Sequence, residues 1–171
     1  IMTTKSTEKY SAIIHLLLQV DKVNQEQVEH AARIQSKLST FSPLLKILKD
    51  LKCITDQDVR ETLRKTSSPI RIGDLLVELG YISPEDLEAA CRIQQDSDSQ
   101  EKIGRILVKH NFIDEQVFIE ILSIQMGYPF IEPGLNNIDK VRCGKIPNNL
   151  MATLGFIPIK SDDGSVRVAF V

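Results

Sequence analysis

The sequence has no C-x-x-C, no H-E-x-x-H and no G-x-x-x-x-G-K-[ST], and each absence removes a class of chemistry. Without the last of these the chain lacks the loop that cradles phosphates in nucleotide hydrolases, and "GKIP" from Gly144 does not replace it. His15, His30 and His110 are scattered. Cys53, Cys91 and Cys143 are odd in number and widely spaced, which suits structural thiols in a reducing cytosol better than a zinc site or a disulfide framework. The acidic "SDDG" from Ser161 reads as a turn rather than a metal loop. The expectation is therefore a chain that is not an enzyme and holds no metal and no cofactor. Charge of one sign is missing too. With 21 Lys and Arg against 23 Asp and Glu, the formal charge is −2, so no basic field holds a nucleic-acid backbone, and DNA and RNA are not expected partners. Long hydrophobic runs are also missing. "AIIHLLLQV", from Ala12, is broken by His15 and Gln19 and falls short of the roughly 20 residues of a bilayer span. Residues Met2 to Tyr10 are polar where a secretory signal needs an apolar run, so a cytoplasmic location is expected.

What the chain does have is an ordered composition and a repeat. Hydrophobic residues make up 42% and charged ones 26%, so the 171 residues can bury a core as one domain or two small ones, and two is the expectation. "RIGDLLVELGYISPEDLEAACRIQ" (Arg71 to Gln94) aligns without a gap to "KIGRILVKHNFIDEQVFIEILSIQ" (Lys102 to Gln125). Each copy predicts a short amphipathic helix, a tight break, a cap and a longer helix. Gly80 and Asn111 supply the breaks, and Ser83, followed by Pro84 and Asp86, and Asp114 supply the caps. The same pattern occurs twice upstream, in "IIHLLLQVDKVNQEQVEHAARIQ" and "LLKILKDLKCITDQDVRETLRKT", with Asn24 and Thr55 as caps. Aligned on Val23, Ile54, Ile82 and Ile113, the four copies predict four stacked helix pairs. The places of Arg71 and Gly73 are held by Ala12 and Ile14 in the first copy, and by Pro43 and Leu45 in the second. The first two copies keep the scaffold and lose the polar equipment.

After Gln125 the pattern changes. "GYPFIEP" predicts a short strand, "IPNNLMATLG" a helix closed by Gly155, and "FIPIKSDDGSVRVAFV" a hairpin turning at Asp163 and Gly164. The fold class expected is mainly α, with four helix-pair repeats followed by a small α+β C-terminal element. The expected division is 1–67, a degenerate helical-repeat pair, and 68–171, made of a helical motif pair at 71–125 and an α+β tail at 126–171. A chain ending on its last strand, at Val171, fits a longer parent protein.

A cation two residues before a glycine at the mouth of a helix, present in only two of four copies, points to a site shared by those two. The glycine permits close backbone approach, and open amides at a helix start attract anions. The Arg71 guanidinium can pair bidentately with a phosphate or with a guanine edge. Leu87 and Cys91, one turn apart, offer an apolar rest for a base. Doubling predicts a ligand that is itself twofold, anionic and aromatic.

These residues resemble the paired cyclic di-GMP-binding motif of the MshE-type N-terminal domain, found in the ATPases of bacterial type II secretion and type IV pilus assembly. The resemblance runs from Arg71 to Val171. It implies that each motif grips one half of the dinucleotide, that Arg71, Ile72, Gly73, Leu87, Cys91 and Gln94 form one set of contacts, and that Lys102, Ile103, Gly104, Phe118, Leu122 and Gln125 form the other. It also implies a regulatory role toward a secretion or pilus assembly ATPase and an inner-membrane assembly protein as partners. The chain departs from the family pattern where Cys91 and Phe118 stand for Leu, Lys102 for Arg and Asn111 for Gly, and where the spacer from Gln95 to Glu101 is slightly longer. The competing reading is a protein-docking module with a vestigial nucleotide motif. Solvated cations and exposed helix-forming glutamines would suffice for it, and the paired cation-x-Gly would be superfluous.

Overall fold

The structure is a computed structural model of the chain and describes residues 10–66, 70–96, 101–132, 134 and 136–170. Two compact units emerge, Ile1–Phe130 and Ile131–Val171.

In the first unit each copy begins with a short helix: α1 (Ala12–Gln19), α3 (Leu44–Asp50), α5 (Ile72–Glu78) and α7 (Ile103–Lys109). Each continues into a longer one: α2 (Gln25–Gln35), α4 (Asp56–Thr66), α6 (Pro84–Asp96) and α8 (Glu115–Met126). The same device breaks all four copies. Asp21, Lys52, Gly80 and Asn111 sit at φ 55°, 57°, 77° and 57°. The amides that follow them, on Lys22, Cys53, Tyr81 and Phe112, reach back to the carbonyls of Leu17, Leu48, Leu76 and Leu107 at 2.9 to 3.0 Å. This is a Schellman closure, which satisfies the orphan carbonyls of a helix end. Three of the four left-handed residues carry a side chain, so the motif is held by its hydrogen bonds and the apolar residue two positions on, not by glycine alone.

The longer helices start on side-chain caps. Asn24 and Gln27 form a reciprocal capping box, and Thr55 with Asp58 and Ser83 with Asp86 do the same. Asp114 accepts from the amide of Gln116. The short helices have no side-chain cap: Ser11, Pro43, Arg71 and Lys102 precede them without one. The short helices supply most of the residues at 2% exposure or less, namely Ile13, Ile14, Leu17, Leu45, Leu48, Leu75, Leu76, Ile106 and Leu107. The longer ones lay one apolar stripe over these, as amphipathic helices do. Among the described residues Thr62 is the one buried polar residue, satisfied by donating to the Asp58 carbonyl at 2.7 Å.

Copies associate in twos. α2 packs on α3 and α1 on α4, and likewise α6 packs on α7 and α5 on α8. Each doublet thus has an approximate twofold relation between its copies, and contacts of α4 with α8 and of α3 with α5 join the doublets.

The second unit contains α9 (Lys140–Cys143), α10 (Asn148–Leu154), β1 (Phe156–Ile159) and β2 (Arg167–Phe170). The strands are antiparallel, pairing Phe156 with Phe170 and Ile159 with Arg167. Gly155 closes α10 at φ 60°, and Gly164 turns the hairpin at φ 74°, where Asp163 accepts from the Ser165 amide at 3.0 Å. The expected helix, hairpin and turn are all present. "GYPFIEP" is not a strand. Among its described residues, 127–132, no strand forms and Gly127 is left-handed at φ 75°, because a strand needs a neighbouring edge and local sequence cannot supply one. Among the described residues ten helices and one two-stranded sheet make the fold mainly α, as expected. No described helix is long and apolar enough to cross a membrane.

Candidate functional site

The equipped residues all lie in the doublet of the third and fourth copies. Arg71 and Lys102 are the N-cap residues of α5 and α7, both extended, with φ and ψ of −69° and 143° and of −68° and 140°. Their side chains stand out in solvent, Arg71 with 87% of its side chain exposed. A cation at a helix N-terminus opposes the macrodipole and costs about 0.3 to 1 kcal/mol. Both cations stand where the other copies have neutral residues. Arg71 has an internal anion, its Nε pairing with Asp74 at 3.1 Å. In the fourth copy the corresponding residue is Arg105, so two cations share the first turn of α7. Sequence reading missed this asymmetry, although the charge reversal three residues after the cation was there to be seen.

Behind each cation is a buried glycine with a hydrophobic cover. A β-carbon on Gly73 would lie 2.6 Å from Leu87 Cδ1, and one on Gly104 would collide with Phe118 Cζ. The expected close approach to the glycine backbone is thus made by the protein's own side chain. The first two copies show what this replaces. Ile14 and Val28, and Leu45 and Val59, occupy the corresponding positions and are all fully buried. Large residue on the short helix goes with Val on the long one; glycine goes with Leu or Phe, which are only half-buried. The exchange moves apolar bulk from the core to a ledge beside the cation. Ile72, Ile103, Leu87 and Phe118 pack against the core while remaining half-open, and Cys91 and Leu122 extend the ledge one turn further along α6 and α8.

The two glutamines, expected as ligand contacts, each donate to a backbone carbonyl. Gln94 donates to the carbonyl of Glu101 at 2.7 Å, and Gln125 to the carbonyl of Ile70 at 2.6 Å. Residues 97–100 of the spacer lie outside the described residues. Cys53, Cys91 and Cys143 are free thiols, and no cluster of three His, Cys, Asp or Glu suits a metal among the described residues.

The arrangement provides two exposed cations, two half-open apolar ledges and two helix starts without side-chain caps, related by an approximate twofold. No family model matches the sequence, and no curated protein does. A solved structure of MshE with cyclic di-GMP matches at 27% identity and a TM-score of 0.52, over 59% of this chain and 71% of that one. In fold and sequence together, the matched part of this chain resembles the MshE-type N-terminal domain.

Proposed function

We propose that this chain is a bacterial regulatory domain that binds the second messenger cyclic di-GMP across its third and fourth copies and controls a secretion or pilus assembly ATPase. The observation that carries the proposal is the repeated set of an N-cap cation, a buried glycine and a half-open ledge, in the two copies that face one another and in no other. Each phosphate of the dinucleotide meets Arg71 or Lys102 with the amides at the helix start. Each guanine rests on Leu87 with Cys91, or on Phe118 with Leu122, and Ile72 and Ile103 close the inner side. MshE, a protein of similar structure, has been solved with this ligand. The chain itself turns over no nucleotide in this account; it acts in the cytoplasm on an attached ATPase domain and, through an inner-membrane assembly protein, at the membrane.

A ligand that binds the folded state raises the melting temperature by mass action. Thermal unfolding in cyclic di-GMP against GMP tests the proposal. A rise with the dinucleotide alone supports it, and equal curves contradict it. Protein docking is the second reading, favoured by Leu38 and Phe41, which are 45% and 65% exposed between the first two copies.

A further inference from the structure

We infer that Gln94 and Gln125 are positioning residues rather than ligand contacts, and that together they form a reciprocal latch between the two halves of the site. Gln94, at the end of the third copy, donates Nε2 to the Glu101 carbonyl, immediately before Lys102. Gln125, at the end of the fourth, donates Nε2 to the Ile70 carbonyl, immediately before Arg71 and 55 residues away in sequence. Each copy therefore holds the peptide from which the other copy's cation springs.

The first two copies separate scaffold from ligand. Gln35 donates to the Ser42 carbonyl at 2.7 Å, and Ser42 immediately precedes Pro43, the N-cap of α3. The geometry is that of Gln94, in a doublet that carries neither cation nor ledge. The bond is thus built into the fold and does not depend on a ligand being there. Among the described residues that doublet shows no return bond from a glutamine. Thr66 stands at the glutamine position and turns its hydroxyl onto the Thr62 carbonyl of its own helix at 2.8 Å. Lys22 of the first copy instead grips Asp58 and Glu61 of the second, at 2.8 and 2.9 Å. Glutamine closes the doublet in both directions only where the cations are.

The consequence concerns the whole ligand more than either half. A dinucleotide whose halves are covalently joined binds both cations only when their separation is right. Its apparent affinity scales with the fraction of protein in that arrangement. Opening one latch lowers that fraction without removing a contact. It slows association and leaves dissociation unchanged, whereas losing a contact speeds dissociation.

The functional half of this inference rests on the proposed binding of cyclic di-GMP; the latch itself does not. Two experiments keep them apart. In the ligand-free protein, nuclear magnetic resonance should find the side-chain amides of Gln35, Gln94 and Gln125 exchanging more slowly than that of exposed Gln95. Fast exchange at Gln94 and Gln125 overturns the latch whether or not any nucleotide binds. Stopped-flow association of cyclic di-GMP with Gln94→Ala, Gln125→Ala and Gln35→Ala, each verified as folded by circular dichroism, supplies the second. The first two should associate about three- to tenfold more slowly, as expected for one net hydrogen bond, with dissociation unchanged and Gln35→Ala like the wild type. Faster dissociation in Gln94→Ala and Gln125→Ala shows direct contact and overturns the assignment.

Discussion

Phe118 lies across Gly104 so closely that a β-carbon there would run into the ring, and Leu87 stands over Gly73 in the same relation. The two glycines thus set how far the ledge residues sit from the core. Alanine at Gly73 or Gly104 adds about 0.5 to 1 kcal/mol of helix propensity. Crowding opposes this by about 1 to 3 kcal/mol in a closed core. Here the crowded atoms are the free ends of half-open side chains, which can turn outward. Gly73→Ala and Gly104→Ala should therefore unfold in urea within about 1 kcal/mol of the wild type, with cyclic di-GMP affinity about tenfold lower by titration because the ledge has moved. Unchanged affinity would remove the ledge from the site.

Rewriting the fourth copy in the pattern of the second is a stronger version of the same test. Gly104→Leu with Phe118→Val should remain helical by circular dichroism, since Leu45 and Val59 pack that way in this chain. It should bind no cyclic di-GMP. Retained binding would show that bulk at these two positions is a packing choice only.

Lys102 is a point charge where the third copy has a planar fork, and a bidentate pair is worth about 1 to 3 kcal/mol when it reads a base edge. Lys102→Arg should tighten cyclic di-GMP about tenfold in a calorimetric titration. A weaker complex would mean that Lys102 meets a phosphate in a geometry the fork does not fit.

The first doublet should show its ionic tie in acid. Hydrogen bonds from Lys22 and Thr55 lower the Asp58 carboxyl to about 2 from its ordinary 3.8. A lowered carboxylate contributes stability above its unfolded pKa and loses it as pH falls through the folded one. The urea midpoint should therefore fall between pH 4 and 2, and Lys22→Met should flatten that fall. Parallel acid limbs in the two proteins would show that Lys22 leaves Asp58 unaffected.

Lys52 holds a left-handed φ of 57° in the break of the second copy. Glycine adopts that conformation without the cost of about 1 to 2 kcal/mol borne by an L side chain, and gives some of this back in unfolded-chain entropy. Lys52→Gly should stabilise by roughly 0.5 to 1 kcal/mol in urea unfolding. Destabilisation would mean that the lysine stem contributes more by packing than the backbone loses by strain.

The repeat, the caps and the breaks were legible in the sequence because each is local. Asn24, Thr55, Ser83 and Asp114 need only their own next turn. The cover over each glycine was not read, although Gly73 with Leu87 and Gly104 with Phe118 keep the same spacing as Ile14 with Val28 and Leu45 with Val59. Comparing volumes across all four copies would have found it. The Gln125 to Ile70 bond had no such signal, since its acceptor is a backbone carbonyl 55 residues away. The recurrence of Gln35 in an unequipped copy did hint that the glutamine belongs to the scaffold. The strand expected at "GYPFIEP" failed for the complementary reason: apolar residues between Gly and Pro describe a segment that can pair, and nothing local says whether an edge is beside it.

Isothermal titration of cyclic di-GMP into this chain, with Arg71→Ala and Lys102→Ala beside it, tests the central claim most directly. The account predicts one dinucleotide per chain, with affinity falling by at least about tenfold in either variant, because one ligand spans both cations. A folded wild type that gives no heat, or variants that bind as it does, would contradict it.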